Sequence, residues 1–446
     1  MSNPTATPSR SQPQPSVSRR DFLQRSALLG AAATAANLPL ARSVHAAGSD
    51  LLRVALVGAG GRGTGAAMNI LSTKANVKLV AVADAFEDRI ETALKNLAKR
   101  VPERVDVPKQ RQFVGLDGYQ QAIDCGVDLV LLCSPPGFRP WHFEAAVKAG
   151  KHIFMEKPVA TDAPGVRRIL AANQQARQKK LAVAVGHHLR HETKHQEVVK
   201  RIHDGMIGDV KFVRVYFNAS GIWNRPRKPE QSEMQYQVSN WYHFTWLSGD
   251  HLVEQHVHDI DVGNWIKQAH PIRAQGMGGR QVRFQPGIGE IYDHHAVEFE
   301  FADGSRMFSY CRQIPSCWNS FAQHAHGTKG TANIQGHGAS DLCVDGQEPL
   351  KWKRSGDGHQ VEMDDLVAAL QAGQAYNEAD WAADSTMTAI LGRMATYSGK
   401  MVEWDTALAS QLNLAPAKLA WDAQPQSKPD ANGVYPCATP GVTQAW

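Results

Sequence analysis

A glycine-rich turn carries the first chemistry that this sequence predicts. Gly58, Gly60 and Gly63 follow an apolar run in the spacing G-x-G-x-x-G, and a helical pattern begins directly after them. In this spacing the first glycine permits a tight turn, the second lets the backbone approach a pyrophosphate, and the third lets the helix pack closely on the strand. The N-terminus of that helix directs the positive end of its dipole toward the phosphates. The turn therefore predicts a dinucleotide site.

An acidic residue lies where such a site needs one. Asp84 ends the second predicted strand, residues 77–84, roughly 20 residues after the glycine turn. A carboxylate at this point accepts hydrogen bonds from a ribose 2′-hydroxyl and repels a 2′-phosphate. The two features together predict NAD as the cofactor, in preference to NADP.

A lysine follows the fifth predicted strand, in the run Glu156, Lys157, Pro158. Ligands of open α/β sheets bind at the carboxyl ends of the strands, where this lysine lies. An ammonium group there can polarise the hydroxyl or carbonyl oxygen that takes part in hydride exchange, and can help to move its proton. Lys157 is therefore a catalytic candidate. Glu156 is predicted to be structural or to contact the nicotinamide ribose.

A histidine-rich segment, residues 249–267, is predicted to form one helix at the junction of two domains. Glu254 and His258 are four positions apart, so they share a face of that helix. His251 lies near the same stripe, whereas His256 is rotated away by roughly 160° and should point elsewhere. Because one face carries acid and base side chains together, we expect it to border a substrate.

The same histidines raise the question of a metal ion. His251, Glu254 and His258 could form one ligand face, and the local string superficially resembles the zinc-protease spacing H-x-x-E-H. Gln255 comes between Glu254 and His256, which breaks that spacing. The six cysteines also lack the C-x-x-C spacing of metal sites. No metal site is therefore predicted.

A loop rich in aromatic residues spans residues 219–244. Aromatic faces with amide or guanidinium donors suit a carbohydrate pocket, since sugars present both CH faces and hydroxyl groups. The same residue types are enriched at subunit interfaces, and the sequence leaves both interpretations open. Trp223 and Arg225 are the better pocket candidates, and Tyr242 is a further one.

Two kinds of sheet are needed to position these residues. Up to residue 188, β-rich runs alternate with helical stretches, which predicts a doubly wound parallel sheet with strands at 54–58, 77–84, 112–114, 128–134, 152–156 and 181–186. Beyond it, strands at 210–217, 296–301 and 307–312 with hairpin turns predict a largely antiparallel sheet. The expected fold class is α/β plus α+β: a Rossmann domain and a second sheet domain, with late helices that return to the first.

The first 46 residues are predicted to be an export signal. A twin-arginine signature at residues 18–23 precedes an alanine-rich segment at 26–40 and a small-residue cleavage site near Ala46. That apolar segment is too short to span a membrane. The protein is therefore predicted to be periplasmic or otherwise exported. Because the twin-arginine route moves folded proteins, it fits a tightly held nicotinamide cofactor.

Composition limits the other partners. The formal charge of +5 is small for 446 residues, and no basic block indicates nucleic acid. No later segment is apolar enough to indicate a membrane span. The expected domains are a Rossmann domain at 47–188, a substrate and oligomerisation domain at 189–404, and a tail at 405–446 that is either a surface arm or disordered. Cys311 and Cys317 are close enough in sequence to form a disulfide in an oxidising compartment.

Three motifs in this order resemble the Gfo/Idh/MocA oxidoreductases. They are the glycine turn, Glu156-Lys157-Pro158, and GDHLVEQHVHDID at residues 249–261. The resemblance covers residues 51–404 and implies an NAD(P)-dependent enzyme of sugars or polyols, with an open-faced second sheet that often pairs subunits. It further implies that His258 moves the substrate proton, that Lys157 polarises the oxygen, and that Glu254, where the family normally has aspartate, orients the substrate.

The resemblance also adds residues around both ligands. Ser134 and Pro135 would border the nicotinamide, and His187 and His188 follow the sixth strand near nicotinamide and substrate. The cofactor candidates are Gly58, Gly60, Gly61, Arg62, Gly63, Asp84, Arg89, Ser134, Pro135, Glu156 and Lys157. The substrate candidates are His187, His188, Trp223, Arg225, Tyr242 and His251.

Three functions compete at this point. The first is an oxidoreductase that acts on a sugar, sugar derivative or cyclitol and holds NAD tightly. The second is an NAD-dependent glycoside hydrolase that oxidises the sugar transiently, eliminates the aglycone and reduces the sugar again; His251, His256 and Tyr242 would suit such an elimination. The third is a binding protein without turnover, against which Lys157 and His258 argue.

Overall fold

The computed structural model describes residues 50–336, 338–353 and 356–446. The predicted export signal and its cleavage site lie outside these residues. Within the described part of the chain, no helix is long and apolar enough to cross a membrane.

Six parallel strands form the first sheet. They are β1 Leu52–Val57, β2 Val77–Asp84, β3 Gln112–Val114, β4 Leu129–Leu132, β5 His152–Met155 and β6 Val183–Val185. Their order across the sheet is β3-β2-β1-β4-β5-β6, and every neighbouring pair is parallel. The strand order reverses direction between β1 and β4, so a crevice opens at the carboxyl ends of these two strands. The predicted parallel sheet is confirmed.

Helices cover both faces of this sheet. They are α1 Gly61–Leu71, α2 Glu87–Arg100, α3 Gly118–Asp124, α4 Arg139–Lys148 and α5 Ala163–Gln178. All residues of β4, β5 and β6 are buried. Such two-sided burial explains why these strands are apolar throughout instead of alternating.

Nine strands form the second sheet. They are β7 Val210–Ala219, β8 Arg273–Gly279, β9 His294–Glu300, β10 Arg306–Gln313, β11 Ser320–Gly327, β12 Gly330–Gln335, β13 Ser340–Val344, β14 Leu350–Trp352 and β15 Val402–Glu403. Their order is β14-β13-β12-β11-β7-β10-β9-β8-β15. The pairing is antiparallel except between β7 and β10, which run parallel. The prediction of a largely antiparallel sheet is confirmed.

The remaining helices connect the two sheets. They are α6 Thr193–His203, α7 Glu233–Ser239, α8 Thr245–Ser248, α9 His251–Glu254, α10 Val257–Lys267, α11 Gly358–Gln371, α12 Ala379–Ser398 and α13 Trp404–Ala409. Helix α11 packs on α1, and α12 packs on both α5 and β8. These late helices therefore contact both the first domain and the second sheet.

The predicted single helix at residues 249–267 is wrong, because the structure breaks it in two. Gly249 and Asp250 have φ angles of +80° and +75°, which set the chain direction just before α9. The Asp250 side chain caps α9 by accepting a hydrogen bond of 2.5 Å from the backbone of His251. A turn at Gln255 and His256 then separates α9 from α10.

The C-terminal tail is an arm packed on the surface. Ala415 and Tyr435 are buried, and the Tyr435 hydroxyl donates to Glu233 of α7 at 2.5 Å. The backbone of Gly441 donates to the Ser398 carbonyl. Of the two possibilities left open for this tail, the arm is the one observed. Cys311 and Cys317, which are close enough in sequence for a disulfide, do not form one: all six cysteines, each of them in the described part of the chain, are free.

A buried histidine at the junction makes stability depend on pH. His191 pairs with Asp365 at 2.7 Å and with Glu378 at 3.3 Å. Burial alone would lower its pKa, but the two carboxylates outweigh burial and raise the pKa of His191 to about 9. Between about pH 6.5 and 9 the folded protein therefore binds more protons than the unfolded chain.

We expect this stabilisation to be complete below about pH 6.5 and to disappear as the pH rises through 9. His191→Gln should flatten the decline of the free energy of unfolding over this range, measured by urea unfolding at several pH values. His203→Gln, at an exposed position of α6, is the control. If the free energy of unfolding of the His191 variant declines with pH as steeply as that of wild type, His191 is not the group responsible.

Candidate active site

The glycine turn has the shape that a pyrophosphate needs. Gly58 has a φ of +94°, and a Cβ atom there would lie 2.4 Å from the backbone nitrogen of Ser134. A Cβ at Gly63 would lie 1.8 Å from the Gly58 carbonyl oxygen. At Gly60 and Gly61, by contrast, no described atom lies within 4 Å of such a Cβ. The fold therefore requires glycine at two positions, and the other two leave an open cradle at the N-terminus of α1 that fits a dinucleotide.

Asp84 supports this turn from the end of β2. Its carboxylate accepts hydrogen bonds from the backbone nitrogens of Ala59 at 2.7 Å and Phe86 at 3.0 Å. Burial raises the pKa of Asp84, and the nearby charge of Arg89 and the two backbone donors oppose that rise. The acid predicted to bind ribose thus also fixes the backbone of the turn.

A cavity of about 510 Å³ lies between the glycine turn and the second sheet. Fourteen of the predicted site residues line it: Gly58, Gly60, Gly61, Arg62, Gly63, Asp84, Arg89, Ser134, Pro135, Glu156, Lys157, His188, Glu254 and His258. Residues that are far apart in sequence therefore meet around one space, although the roles assigned to them remain predictions.

A buried ion pair crosses this cavity. The Lys157 ammonium, just after β5, donates to the backbone carbonyl of Glu254 at 2.5 Å and lies 3.2 Å from its carboxylate. Lys157 is 8% exposed and Glu254 is 7% exposed, so little solvent weakens the interaction. The pair joins the first sheet to the end of α9.

His258 lies beside this pair at the start of α10. Its ring meets the ring of His188 at 4.8 Å and that of His187 at 5.8 Å, both edge-on. Burial, followed by the positive charge of Lys157, lowers the pKa of His258 well below its ordinary value. Within the described part of the chain, Nδ1 of His258 has no hydrogen-bond partner. The imidazole is therefore neutral at pH 7 and able to accept a proton.

Glu156 is held on the side of the glycine turn. Its carboxylate lies 2.7 Å from Nε of Arg62, and it packs so closely on Gly186 that a Cβ there would lie 2.7 Å from a carboxylate oxygen. Glu362 of α11 is buried nearby, and burial, together with the charge of Glu156, raises the pKa of Glu362 well above its ordinary value. These contacts favour the structural role predicted for Glu156.

Comparison with known proteins agrees with this geometry. Residues 52–187 match the family model described as oxidoreductase family, NAD-binding Rossmann fold, and residues 195–333 match the GFO/IDH/MocA C-terminal domain. The chain belongs to the Gfo/Idh/MocA oxidoreductase family. Its Rossmann domain is therefore an NAD-binding domain, and the resemblance predicted from the motifs is confirmed.

Three relatives illustrate this membership. Inositol 2-dehydrogenase of Acidiphilium cryptum (strain JF-5) is 25% identical over 339 residues, which is 74% of this chain and 89% of that protein. A glycosyl hydrolase family 109 protein of Streptomyces coelicolor is 28% identical over 215 residues, 44% of each chain. The crystal structure of scyllo-inositol dehydrogenase from Lactobacillus casei with NAD(H) and scyllo-inositol has a TM-score of 0.60 at 18% identity, and the match covers 80% of this chain and 99% of that one.

Three predicted substrate contacts, all from the aromatic loop before α8, pack against neighbouring residues and do not line the cavity among the described residues. Trp223 is 41% exposed, and the Arg225 guanidinium covers its ring at 4.1 Å. Arg225 also donates to the Ser239 carbonyl at 2.7 Å. Tyr242 is buried, where its hydroxyl accepts a hydrogen bond of 2.7 Å from Gln313. None of the three is among the described residues that line the cavity.

Two predicted histidines also lie behind the cavity wall. His187 is 1% exposed and lies 3.7 Å from Asp261, whose carboxylate is bound by Arg190. His251 is buried in α9, with its ring 4.9 Å from that of His295, and is not among the described residues that line the cavity. The prediction that one helix face carries His251, Glu254 and His258 is wrong, because α9 contains His251 and Glu254 but ends before His258.

Other residues take these places in the lining. Trp241 lines the cavity and comes from the aromatic loop at residues 219–244. The aromatic residue type indicated a pocket there, but Trp223, Arg225 and Tyr242 were preferred as the pocket candidates. His359 comes from α11, and its ring lies 4.0 Å from that of His188. Sequence spacing gave no signal for His359, because it lies about 170 positions from His188. Pro136, which continues the turn of Ser134 and Pro135 predicted to border the cofactor, also lines the cavity. The remaining unpredicted lining residues are Cys133, Arg139, Leu189, Glu192, Phe217, Gln255, Asp259, Phe321, Gln323 and Gly336.

Two glycine substitutions should separate folding from cofactor binding. Gly60→Ala places a methyl group in the open cradle, so we expect an unchanged melting temperature and an affinity for NAD at least about tenfold weaker. Gly63→Ala collides with the Gly58 carbonyl, so we expect a lower melting temperature as well. Differential scanning fluorimetry and NAD titration measure both effects. Equal NAD affinity in wild type and Gly60→Ala would contradict the assignment of the open cradle to dinucleotide binding.

The neutral state of His258 predicts the pH dependence of oxidation. Because the pKa of His258 lies well below its ordinary value, the base form persists as the pH falls from 8 to 6. We expect kcat/KM for substrate oxidation to stay level over this range, measured at saturating NAD. A decline that follows a single pKa near 6.5 would show that His258 is not the base or is not buried as described.

Proposed function

We propose that the protein oxidises a secondary hydroxyl group of a sugar, sugar derivative or cyclitol, with NAD as the hydride acceptor. One observation carries the proposal: Lys157, Glu254 and His258 meet in the same cavity as the glycine cradle. The inositol dehydrogenase relative and the family membership support the substrate class.

The roles follow from charge and position. His258 is neutral and takes the proton of the substrate hydroxyl. The Lys157 ammonium stabilises negative charge on the substrate oxygen, and Glu254 holds that ammonium in place from two acceptor atoms. NAD supplies the hydride acceptor when it is bound. The aromatic side chains of Trp241, Phe217 and Phe321 offer faces for the CH groups of a sugar or cyclitol ring. Carboxylates of the lining can accept hydrogen bonds from the hydroxyl groups of that ring.

Between NAD and NADP, NAD is the proposed cofactor, because the carboxylate of Asp84 lines the end of the cradle where the ribose would bind. Arg89 also lines this end and would be the residue to accept a 2′-phosphate. Asp84→Ser should therefore weaken NAD binding and narrow the preference over NADP, measured by titration with both cofactors. Asp88→Ser, an exposed position of α2, is the control. Wild-type protein that binds NAD and NADP with equal affinity would contradict the proposed preference for NAD.

Export and a tightly held cofactor belong to the same proposal. The twin-arginine signature at residues 18–23 and the cleavage site near Ala46 support export of a folded, cofactor-loaded protein. Outside the cytoplasm the bound NADH formed by substrate oxidation must be reoxidised within the site, so a second substrate or a later step of the same reaction would accept the hydride from NADH.

A homo-oligomer is proposed through the outer face of the second sheet. Tyr216 and Tyr310 stack at 5.3 Å on neighbouring strands of that face, and Trp318 beside them is 66% exposed. Aromatic surfaces of this kind are enriched at subunit contacts.

The second candidate function is the NAD-dependent glycoside hydrolase. The relative named as a glycosyl hydrolase family 109 protein favours it. The acid and base groups first expected for elimination, His251, His256 and Tyr242, do not line the cavity among the described residues, but Glu192 and His359 do. Those two side chains could serve the elimination of an aglycone.

Nicotinamide absorbance and product analysis distinguish the two. Purified protein is incubated with trace NAD and a panel of cyclitols, free sugars and glycosides. NADH that accumulates with an oxidised product indicates a dehydrogenase. Product in excess of NAD indicates recycling: a released aglycone then shows the hydrolase, and paired oxidised and reduced sugars show a coupled oxidoreductase. No turnover with any of these substrates by NAD-loaded protein would contradict both.

Substitution of the two central residues should stop the chemistry without removing the cofactor. We expect Lys157→Ala and His258→Ala each to lower kcat by about 10² to 10⁴ while NAD stays bound. Lys148→Ala and His203→Ala, at exposed helix positions, are matched controls. Wild-type rates in both site variants would show that the assigned centre is not the reaction centre.

A further inference from the structure

Three buried side chains with metal-binding atoms meet behind α9. Asp250 and His251 begin this helix, and His295 lies on β9. All three are at most 2% exposed, and one ligand-type atom from each lies within 4.8 Å of the others. Nε2 of His295 is 3.3 Å from one Asp250 oxygen, and Nε2 of His251 is 3.8 Å from the other.

Asp250 and His295 are each held by further hydrogen bonds. Nδ1 of His295 lies 2.9 Å from the Thr396 hydroxyl, and the Asp250 carboxylate accepts hydrogen bonds from the backbone nitrogen of Tyr292 at 2.9 Å and from the Tyr397 hydroxyl at 2.6 Å. Nε2 of His295 therefore faces Asp250 in one of two states: as an N–H donor, or, with the hydrogen on Nδ1, as a ligand for a metal ion.

His251 favours the metal ion over a hydrogen bond between His295 and Asp250 alone. Its side chain is fully buried, and within the described part of the chain neither ring nitrogen has a hydrogen-bond partner. Buried polar groups without partners are rare and usually mark a bound water or ion. A hydrogen bond between His295 and Asp250 satisfies neither nitrogen of His251, whereas a metal ion would bind one of them.

Charge and distance select the kind of ion and a fourth ligand. Two atoms bound to one zinc ion at about 2.0 to 2.3 Å lie no more than roughly 4.5 Å apart, which the separations of 3.3 and 3.8 Å satisfy. Arg283 and Arg393 already place positive charge near Asp250. A second anionic ligand is therefore needed to balance a divalent ion. Cys311 is buried, free and directly opposite His295 in the β9–β10 pair, so both side chains lie on the same face. Its Sγ lies outside the group of atoms within 4.8 Å of one another, so the Cys311 side chain would have to turn toward the ion when the ion binds.

We propose that Asp250, His251 and His295 bind a structural zinc ion, with the Cys311 thiolate as the fourth ligand. Nitrogen, carboxylate and thiolate donors in a closed set of four are the ligands that structural zinc takes. The ion would fix the start of α9 on the second sheet, three residues before Glu254. It would therefore hold the partner of Lys157 in place without contact to the substrate. Tyr397, whose hydroxyl donates to Asp250 at 2.6 Å, lines a separate cavity of about 280 Å³ that offers an entry path.

The first test is the metal content of untagged, full-length protein purified without chelator. We expect close to one zinc per chain by inductively coupled plasma mass spectrometry. Removal of the ion with dipicolinate should lower the melting temperature, and added Zn²⁺ should restore it. Folded protein that contains under about 0.1 zinc per chain, and that binds neither added Zn²⁺ nor Co²⁺, would overturn the proposal and assign the contact to a hydrogen bond between His295 and Asp250.

Cobalt identifies the ligands. Wild-type protein reloaded with Co²⁺ should show a near-ultraviolet thiolate charge-transfer band and the visible bands of tetrahedral cobalt. Cys311→Ser should lose the thiolate band, whereas the control Cys343→Ser should keep it. His251→Gln should lose stoichiometric binding, whereas His256→Gln, whose ring bonds Ser309, should retain it. If Cys311→Ser keeps the thiolate band, Cys311 is not a ligand; if His251→Gln binds cobalt like wild type, the site is wrong. The wild-type spectrum remains decisive if a variant does not fold.

Discussion

The contact between Lys157 and Glu254 is the interaction on which the site depends. It joins a residue at the carboxyl end of a parallel strand to a short helix that belongs to the second sheet. Because both groups are buried, neither can lose the other without leaving an unpaired charge away from water. The contact bridges the two sheets, and the cavity between them has a volume of about 510 Å³.

Burial then sets the protonation states around that contact. His258 lies next to a permanent positive charge and away from solvent, so its pKa falls and it stays neutral. Glu362, behind the Arg62 and Glu156 pair, is driven toward its neutral form by the same absence of solvent and by the charge of Glu156. In the proposed reaction, the site would combine a cation that stabilises an anion with a neutral base, which is the combination that removal of a hydroxyl proton requires.

The sequence predicted what is local and missed what depends on tertiary contacts. The glycine turn, Asp84 and the strand-end Lys157 are each specified by a single strand and the turn after it, and the structure brings them together as expected. His359 and Phe321 reach the cavity from elements far along the chain, so no spacing could indicate them. His251 was misplaced because a continuous helix was assumed where Asp250 adopts a positive φ and the chain turns again at Gln255.

A crystal structure of the protein with NAD tests the central claim most directly. The account predicts the pyrophosphate in the glycine cradle and the nicotinamide beside Pro135, with its reactive carbon facing the space between the Lys157 ammonium and the His258 ring. That space should admit one alcohol carbon at roughly 3 to 3.5 Å from the nicotinamide. A nicotinamide that points away from Lys157, or a cofactor bound outside the cradle, would contradict the assignment of these residues to the reaction centre.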